Sequence, residues 1–241
     1  MKLPPWLIAP QGSLDVGVSV ELDPAEAAHV TGPLRGRVGD PVVLIDGEGV
    51  VADARVTRVH RRTVVAEVSA VKRSPKGSND GVALALSVIE RQPMDWAVQK
   101  AVEVGVGRFV PIISARTQRT GAAAEKRCSH WRRLALQALK QCRRPWAMVV
   151  EQPLTLEQFL RQRRPSAGLF GDPAGRPLGA CLECEPDGLL IGPEGGFTAD
   201  EMERLRDKGW TGASFGPHVL RAETAAVVGS ALLVGRRQGL L

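Results

Sequence analysis

The stretch Ile191–Leu205, IGPEGGFTADEMERL, places three glycines within five residues between an apolar run, Leu189-Leu190-Ile191, and a helical pattern. So much bare backbone costs conformational entropy on folding, so something must compensate for it. Thr198 followed by Glu201 reads as a capping box, and Gly209 stands where the helix should stop. The glycine loop therefore falls at the carboxyl end of a strand, the edge at which parallel α/β sheets hold ligands. A phosphate loop of the Walker type would continue into Gly-Lys-Ser/Thr, whereas this one continues into Phe197 and Thr198, and its one charge is Glu194. G-x-G-x-x-G is absent as well. The loop suits a nucleoside-like molecule held by main-chain atoms, or it is a glycine-rich turn that merely joins strand to helix.

Downstream, ASFG (213–216) reads as a short strand that runs into Gly216-Pro217-His218-Val219-Leu220-Arg221-Ala222-Glu223-Thr224 and a final helix over Glu223–Arg237. Two Gly-Pro loops on neighbouring strands, both at the sheet's carboxyl edge, would line one cleft. Glu223 is favourably charged for a helix start, and Arg221 is a solvated cation or its partner. Upstream, VALALSVIE, RFVPIISA, MVVEQPL, SAGLFGD and DGLLIG alternate with helical patterns over Pro93–Val104, Ala123–Arg143 and LEQFLRQR. Such alternation predicts a mostly parallel sheet covered on both faces. Before it, residues 1–71 read as β: Val16–Leu22 alternates, and Asp40–Val71 divides into three Val-rich runs, with a short helix at Pro24–Val30. Strands at this spacing suggest a small barrel, and KRSPKGSNDG (72–81) is the linker. The expected division is 1–72 and 73–241.

The totals agree with a globular chain: 241 residues, 44% hydrophobic and 24% charged, with Val, Leu and Ala supplying a core poor in aromatics. The net charge of +6 favours a polyanionic partner. From Arg116 to Arg144 nine Lys and Arg side chains stand against Glu125 alone, which predicts a phosphate-binding face. The candidates there are Arg116, Arg119, Arg132, Arg143 and Arg144, with Arg35 and Arg37 in the β region. Trp131 continues an apolar stripe through Leu134, Ala138 and Cys142 and is expected in the core. Four cysteines include one C-x-x-C, Cys181 and Cys184, without a second pair at zinc spacing, so no metal is expected. The N-terminus MKLPPWLIAPQG lacks a signal pattern, and Ala225–Val234 is too short to span a bilayer, which predicts a cytoplasmic protein without a membrane partner.

IGPEGGFTADE followed by FGPHVLRAETAA resembles the signature of the bacterial small-subunit rRNA uridine-N3 methyltransferases, within the knotted SPOUT methyltransferases. MDWAVQK (94–100) with Glu103-Val-Gly105, LKQCR (139–143), and the run from His29 to Asp40 extend the similarity over nearly the whole chain. The departures are Lys140 for a usual Glu, Arg143 for Gly, His218 for Arg and Ala222 for Thr, with an N-terminus that lacks the family's Arg and aromatics. The resemblance implies a PUA-like β-barrel for RNA, an α/β domain with a C-terminal trefoil knot, and a homodimer. It also implies an S-adenosylmethionine site made by Leu169 and Phe170, by Ile191, Gly192, Pro193, Glu194, Gly195 and Gly196, and by Phe215, Gly216, Val219, Leu220 and Thr224.

The implied reaction is methylation of N3 of a uridine in 16S rRNA, within the small ribosomal subunit. N3 is a poor nucleophile until its imide proton leaves. Arg221 is the candidate to stabilise negative charge on the ring oxygens, and Glu223 the candidate to orient Arg221 or to accept the proton. The competing readings are a SPOUT methyltransferase acting on another RNA base, a non-catalytic RNA-binding protein, and an enzyme acting on a small nucleotide.

Overall fold

The computed structural model describes residues 3–60, 63–76, 81–118, 121–163 and 167–240, and only the backbone of Cys184. The chain forms two compact units, one of Met1–Lys76 with Leu139–Ala147, the other of Gly77–Ala138 with Met148–Leu241.

The first unit contains β1 (Trp6–Ile8), β2 (Ser19–Glu21), α1 (Pro24–Thr31), β3 (Pro41–Ile45), β4 (Val50–His60) and β5 (Thr63–Arg73). They form one sheet in the order β1-β3-β4-β5-β2, in which β1 runs parallel to β3 and the other pairs are antiparallel. Period-two alternation turns Val50, Ala52, Ala54 and Val56 into one apolar cluster. Strand β2 is shorter than the Val16–Leu22 alternation suggests, because Gly17 takes a φ of +83° and breaks the extended path. Asp23 caps α1 by accepting from the amides of Ala25 and Glu26, each at 2.8 Å, with Pro24 opening the first turn.

The segment 139–147 returns to this unit. There Lys140 Nζ lies 2.5 Å from Glu26 Oε1, and Trp146 Nε1 donates to the carbonyls of Ser74 and Pro75 at 3.2 and 3.1 Å. The unexpected lysine at 140 thus neutralises a carboxylate that is 8% exposed. Arg143 has a φ of +59°, left-handed backbone in which glycine is the default residue.

The second unit contains β6 (Ala83–Ser87), α2 (Arg91–Val104), β7 (Arg108–Ile113) and most of α3 (Gly121–Cys142). It continues through β8 (Val149–Val150), β9 (Leu154–Thr155), α4 (Leu156–Gln162), β10 (Gly168–Pro177), α5 (Leu178–Cys181) and β11 (Gly188–Ile191). The last elements are α6 (Ala199–Asp207), β12 (Trp210–Ser214) and α7 (Ala222–Arg237). All its strand pairs are parallel, in the order β12-β10-β11-β6-β7-β8, with β9 also on β7.

This order corrects one expectation. The strands that lead into the two Gly-Pro loops are not neighbours, because β10 lies between β11 and β12 and pairs with both. Local periodicity identifies strands but says nothing about which of them pair. The glycine-rich loop does follow a strand, and Thr198 and Glu201 form both bonds of the capping box. Strand β12 starts at Trp210 and ends at Ser214, which leaves Phe215 and Gly216 in the loop.

One face of the sheet packs Ala85, Val110, Phe170 and Leu190 against Phe159 and Leu160 of α4 and Leu205 of α6. The other face meets α7, whose Gly229 lies so close to Leu189 that an added Cβ would stand 2.6 Å from Leu189 Cδ2. Helix α2 packs on α7 and is tied to α3 by Asp95, whose carboxylate accepts from Arg127 at 2.7 Å and from the indole of Trp131 at 3.2 Å. His130 Nε2 lies 2.9 Å from its other oxygen. Trp131 is fully buried, as its stripe requires. The C-x-x-C falls in α5 and the turn that follows it, where Cys181 is buried. Among the described residues no cluster of His, Cys, Asp or Glu could hold a metal ion, and no helix is long and apolar enough to cross a membrane.

Candidate active site

A cavity of about 500 Å³ opens at the carboxyl ends of β11 and β12, beside the middle of β10. Both Gly-Pro loops line it: Ile191, Gly192, Pro193, Glu194 and Gly196 from the first, Phe215, His218, Val219 and Leu220 from the second. Arg221, Ala222 and Glu223 complete that wall at the start of α7. The two loops thus share one pocket even though a strand separates their own strands. That intervening strand contributes Gly171, Asp172 and Pro173.

The glycine loop has a defined shape. Gly196 has a φ of +67°, and its amide donates to Pro193 O at 2.8 Å, closing a turn. Gly195 leaves room for Arg116, whose Cδ would lie 3.3 Å from an added Cβ. From there Arg116 Nη1 donates to Gly195 O at 2.6 Å and reaches Phe197 O at 3.5 Å. Glu201, 5% exposed, accepts from the amide of Thr198 at 2.9 Å and from that of Ala115 at 2.7 Å. Part of the glycine demand is therefore internal, for a latch as much as for a ligand. On the far side Glu194 Oε1 lies 3.4 Å from the amide of Glu90, next to the N-terminus of α2.

The lining chemistry is uneven. The lining sets Glu90, Asp172, Glu194 and Glu223 beside Arg221 and His218, in a chain of net charge +6. Asp172 is 8% exposed, with Oδ1 accepting from the amide of Ala174 at 3.0 Å and Oδ2 from Arg206 at 3.0 Å. Arg221 is exposed and Glu223 half-buried, and among the described residues no hydrogen bond or ion pair joins them.

A family model for the RNA methyltransferase domain matches residues 76–234. The ribosomal RNA small subunit methyltransferase E of Aquifex aeolicus is 32% identical over 181 residues, 75% of this chain and 79% of that protein. The chain belongs to the ribosomal RNA small subunit methyltransferase E family. The Neisseria gonorrhoeae member of the family, solved bound to S-adenosyl methionine, superposes with a TM-score of 0.87 at 26% identity, over 96% of this chain and 97% of that one. A Legionella pneumophila structure with bound cofactor SAM gives 0.89 at 27% identity, with the same coverage.

Within this member of the methyltransferase E family, the residues expected to hold a cofactor divide. Leu169 and Phe170 lie in the core of β10, 3% and 0% exposed, and the lining begins one residue later at Gly171. Gly195, Gly216 and Thr224 stand beside the cavity rather than in its lining. Asp172 and Glu90 were missed, although each ends an apolar run at the ligand-bearing edge of the sheet, which is a usable signal.

The expected RNA contacts divide too. Arg116 is turned onto the glycine loop, and Arg132 donates through Nε to Val150 O at 3.1 Å. Arg35, Arg37 and Arg143 are exposed, Arg144 is half-buried, and Arg119 lies outside the described residues. Arg127 and Lys140 of the basic run are committed to Asp95 and Glu26. The nine-to-one excess therefore overstates the charge available to a phosphate backbone.

Proposed function

We propose that this chain is an S-adenosylmethionine-dependent methyltransferase that methylates N3 of a uridine in 16S rRNA, within the small ribosomal subunit. The observation that carries it is the shared cavity of the two Gly-Pro loops, in a chain whose relatives are named ribosomal RNA small subunit methyltransferase E. The residues fit the cofactor. It carries a sulfonium and an ammonium against one carboxylate, and the described lining sets Glu90, Glu194 and Glu223 against Arg221, with Asp172 already paired to Arg206. At about 500 Å³ the cavity is in the range of small-molecule sites. Ile191, Gly192, Pro193 and Leu220 would receive it, with Asp172 and Glu194 facing its positive charge.

When bound, S-adenosylmethionine supplies an electrophilic methyl group on sulfur. What the chain's own residues must do is make uracil N3 nucleophilic and hold it still. Arg221, at the exposed rim, would stabilise the negative charge that spreads onto the ring oxygens as N3 loses its proton. Glu223, half-buried two residues on, would take that proton. No contact between the two supports the alternative in which Glu223 merely orients Arg221.

The remaining assignments extend the same reading. Residues 1–72 form a PUA-like barrel for RNA, and the five-stranded sheet with a single apolar cluster supports it. Residues 73–241 form a SPOUT domain with a trefoil knot. The insertion of β11 between β10 and β6, strands that precede it in the chain, supports an unusual threading. The protein acts in the cytoplasm as a homodimer, consistent with Trp96 on α2 and Val228 on α7 remaining 41% and 37% exposed.

The test is transfer of labelled methyl to small ribosomal subunits from cells lacking the protein, with the modified base mapped. Arg221→Ala should lower kcat by about 10²-fold or more with little change in cofactor affinity. Equal loss of both would remove its catalytic role, and a methyl group found on another base would replace the uracil assignment.

A further inference from the structure

We propose that Arg116 is a positioning residue: its guanidinium holds the Gly192–Thr198 loop, through the carbonyls of Gly195 and Phe197, in the form that receives the cofactor. The proposal rests on the cofactor reading above and concerns a residue that charge counting assigns to RNA.

Arg116 is itself held by a compact turn at the ends of β6 and β7. Ser87 Oγ lies 3.1 Å from Ser114 Oγ, which lies 3.0 Å from Thr117 Oγ1. The amide of Ser114 donates to that same Thr117 oxygen at 3.0 Å, and the amide of Thr117 to Ser114 O at 3.0 Å. Ser87 and Ser114 are 0% and 6% exposed, so this network is anchored in the core. Buried, mutually satisfied hydroxyls rigidify the backbone they join.

The turn engages the glycine loop in both directions. Arg116 Nη1 donates to Gly195 O at 2.6 Å, while Ala115 N donates to Glu201 Oε1 at 2.7 Å. The other oxygen of Glu201 accepts from Thr198, the last residue of the loop. Gly195 has no side chain at the point where the aliphatic stem of Arg116 crosses it, 3.3 Å from an added Cβ. One cation and one carboxylate, each reaching across, therefore fix the loop at its middle and at its end. Gln118, two residues beyond Arg116, lines the cavity, so the same turn also supplies wall. Both bonds leave from Nη1, so Nε and Nη2 keep donors to spare, and the RNA arm of the experiment tests whether they also meet a phosphate.

The experiment compares the wild-type chain with Arg116→Ala, Arg116→Gln and Arg116→Lys. Hydrogen exchange of residues 194–198 is followed in the ligand-free protein, S-adenosylmethionine affinity by calorimetry, and affinity for a synthetic RNA hairpin as a function of salt. Arg116→Ala is expected to accelerate exchange in the loop and to weaken cofactor binding about tenfold, the equivalent of one charge-assisted hydrogen bond. Arg116→Lys should recover part of both, and the salt slope for RNA should stay at the wild-type value. Unchanged exchange and cofactor affinity would overturn the proposal. So would a loss of RNA affinity with a slope smaller by about one, the mark of a lost phosphate contact. If Arg116→Ala does not fold, the Gln and Lys variants carry the same comparison. A wild-type chain that binds no cofactor sinks the methyltransferase reading, while the exchange experiment still judges the latch on its own.

Discussion

Lys140→Ala should destabilise the N-terminal unit far more than an ordinary surface substitution. Lys140 Nζ and Glu26 Oε1 are 2.5 Å apart, and the side chains are 15% and 8% exposed. Among the described residues Glu26 Oε2 is buried without a hydrogen bond, and the lysine is the partner that compensates this carboxylate. Breaking a buried pair from one side costs about 3–5 kcal/mol. The lysine ammonium keeps some contact with water, which favours the lower end, about 3 kcal/mol. For a chain of this length that corresponds to a fall in Tm of about 6–12 °C. Replacing both partners with apolar residues, Lys140→Met with Glu26→Leu, should recover most of the loss, because neither charge is then left alone. Lys140→Glu, the residue more usual in the family, should be the most damaging single change, since it faces one carboxylate with another. Urea unfolding of the three variants and wild type provides the comparison. A loss under about 1 kcal/mol for Lys140→Ala, or a double variant no better than the single one, would refute the reasoning.

Arg143→Gly should raise stability by about 1 kcal/mol, because a φ of +59° strains any residue with a Cβ, and thermal unfolding would register the change. Gly229→Ala places a Cβ 2.6 Å from Leu189 Cδ2 and 2.7 Å from Phe215 Cε1. Its overpacking, about 1–3 kcal/mol, should outweigh the gain of about 1 kcal/mol in helix propensity. The same change should weaken cofactor binding by pushing Phe215 into the cavity, which calorimetry would detect. Burial pushes the Cys128 thiol above its ordinary range, against the opposing pull of the nearby Arg132 guanidinium. A raised thiol pKa means that the native state holds its proton longer than the unfolded chain does. The stabilisation is therefore complete below the ordinary thiol pKa and is lost as pH rises through the native one. Stability measured upward from neutral pH should decline more steeply for wild type than for Cys128→Ala, and native Cys128 should resist alkylation near pH 8.

What was legible in the chain was whatever a few consecutive residues decide. Thr198 and Glu201 announce the start of α6, Gly105 ends α2 in left-handed backbone with a φ of +104°, and the glycine loop lies at the edge where a parallel sheet holds ligands. Strand pairing was not legible, because β10 enters between β11 and β12 through contacts set by three-dimensional packing. The fate of individual charges was hidden for the same reason. Arg116 and Lys140 look alike in a basic run, yet one meets carbonyls 79 residues away and the other a carboxylate 114 residues away. Asp172 was within reach, because its run, SAGLFGD, reads as a strand and its last residue falls at the edge where parallel sheets hold ligands.

The pocket has one jaw that is already set and one that is not. Arg116 and Glu201 clamp the first loop, whereas among the described residues the second carries one local bond, Ser214 Oγ to Gly216 O, and leaves Val219 81% exposed. Ordering that second loop around a ligand would cost conformational entropy, and it leads directly into Arg221 and Glu223 at the head of α7. On the proposed function, Arg221 and Glu223 would thus settle only as the pocket fills.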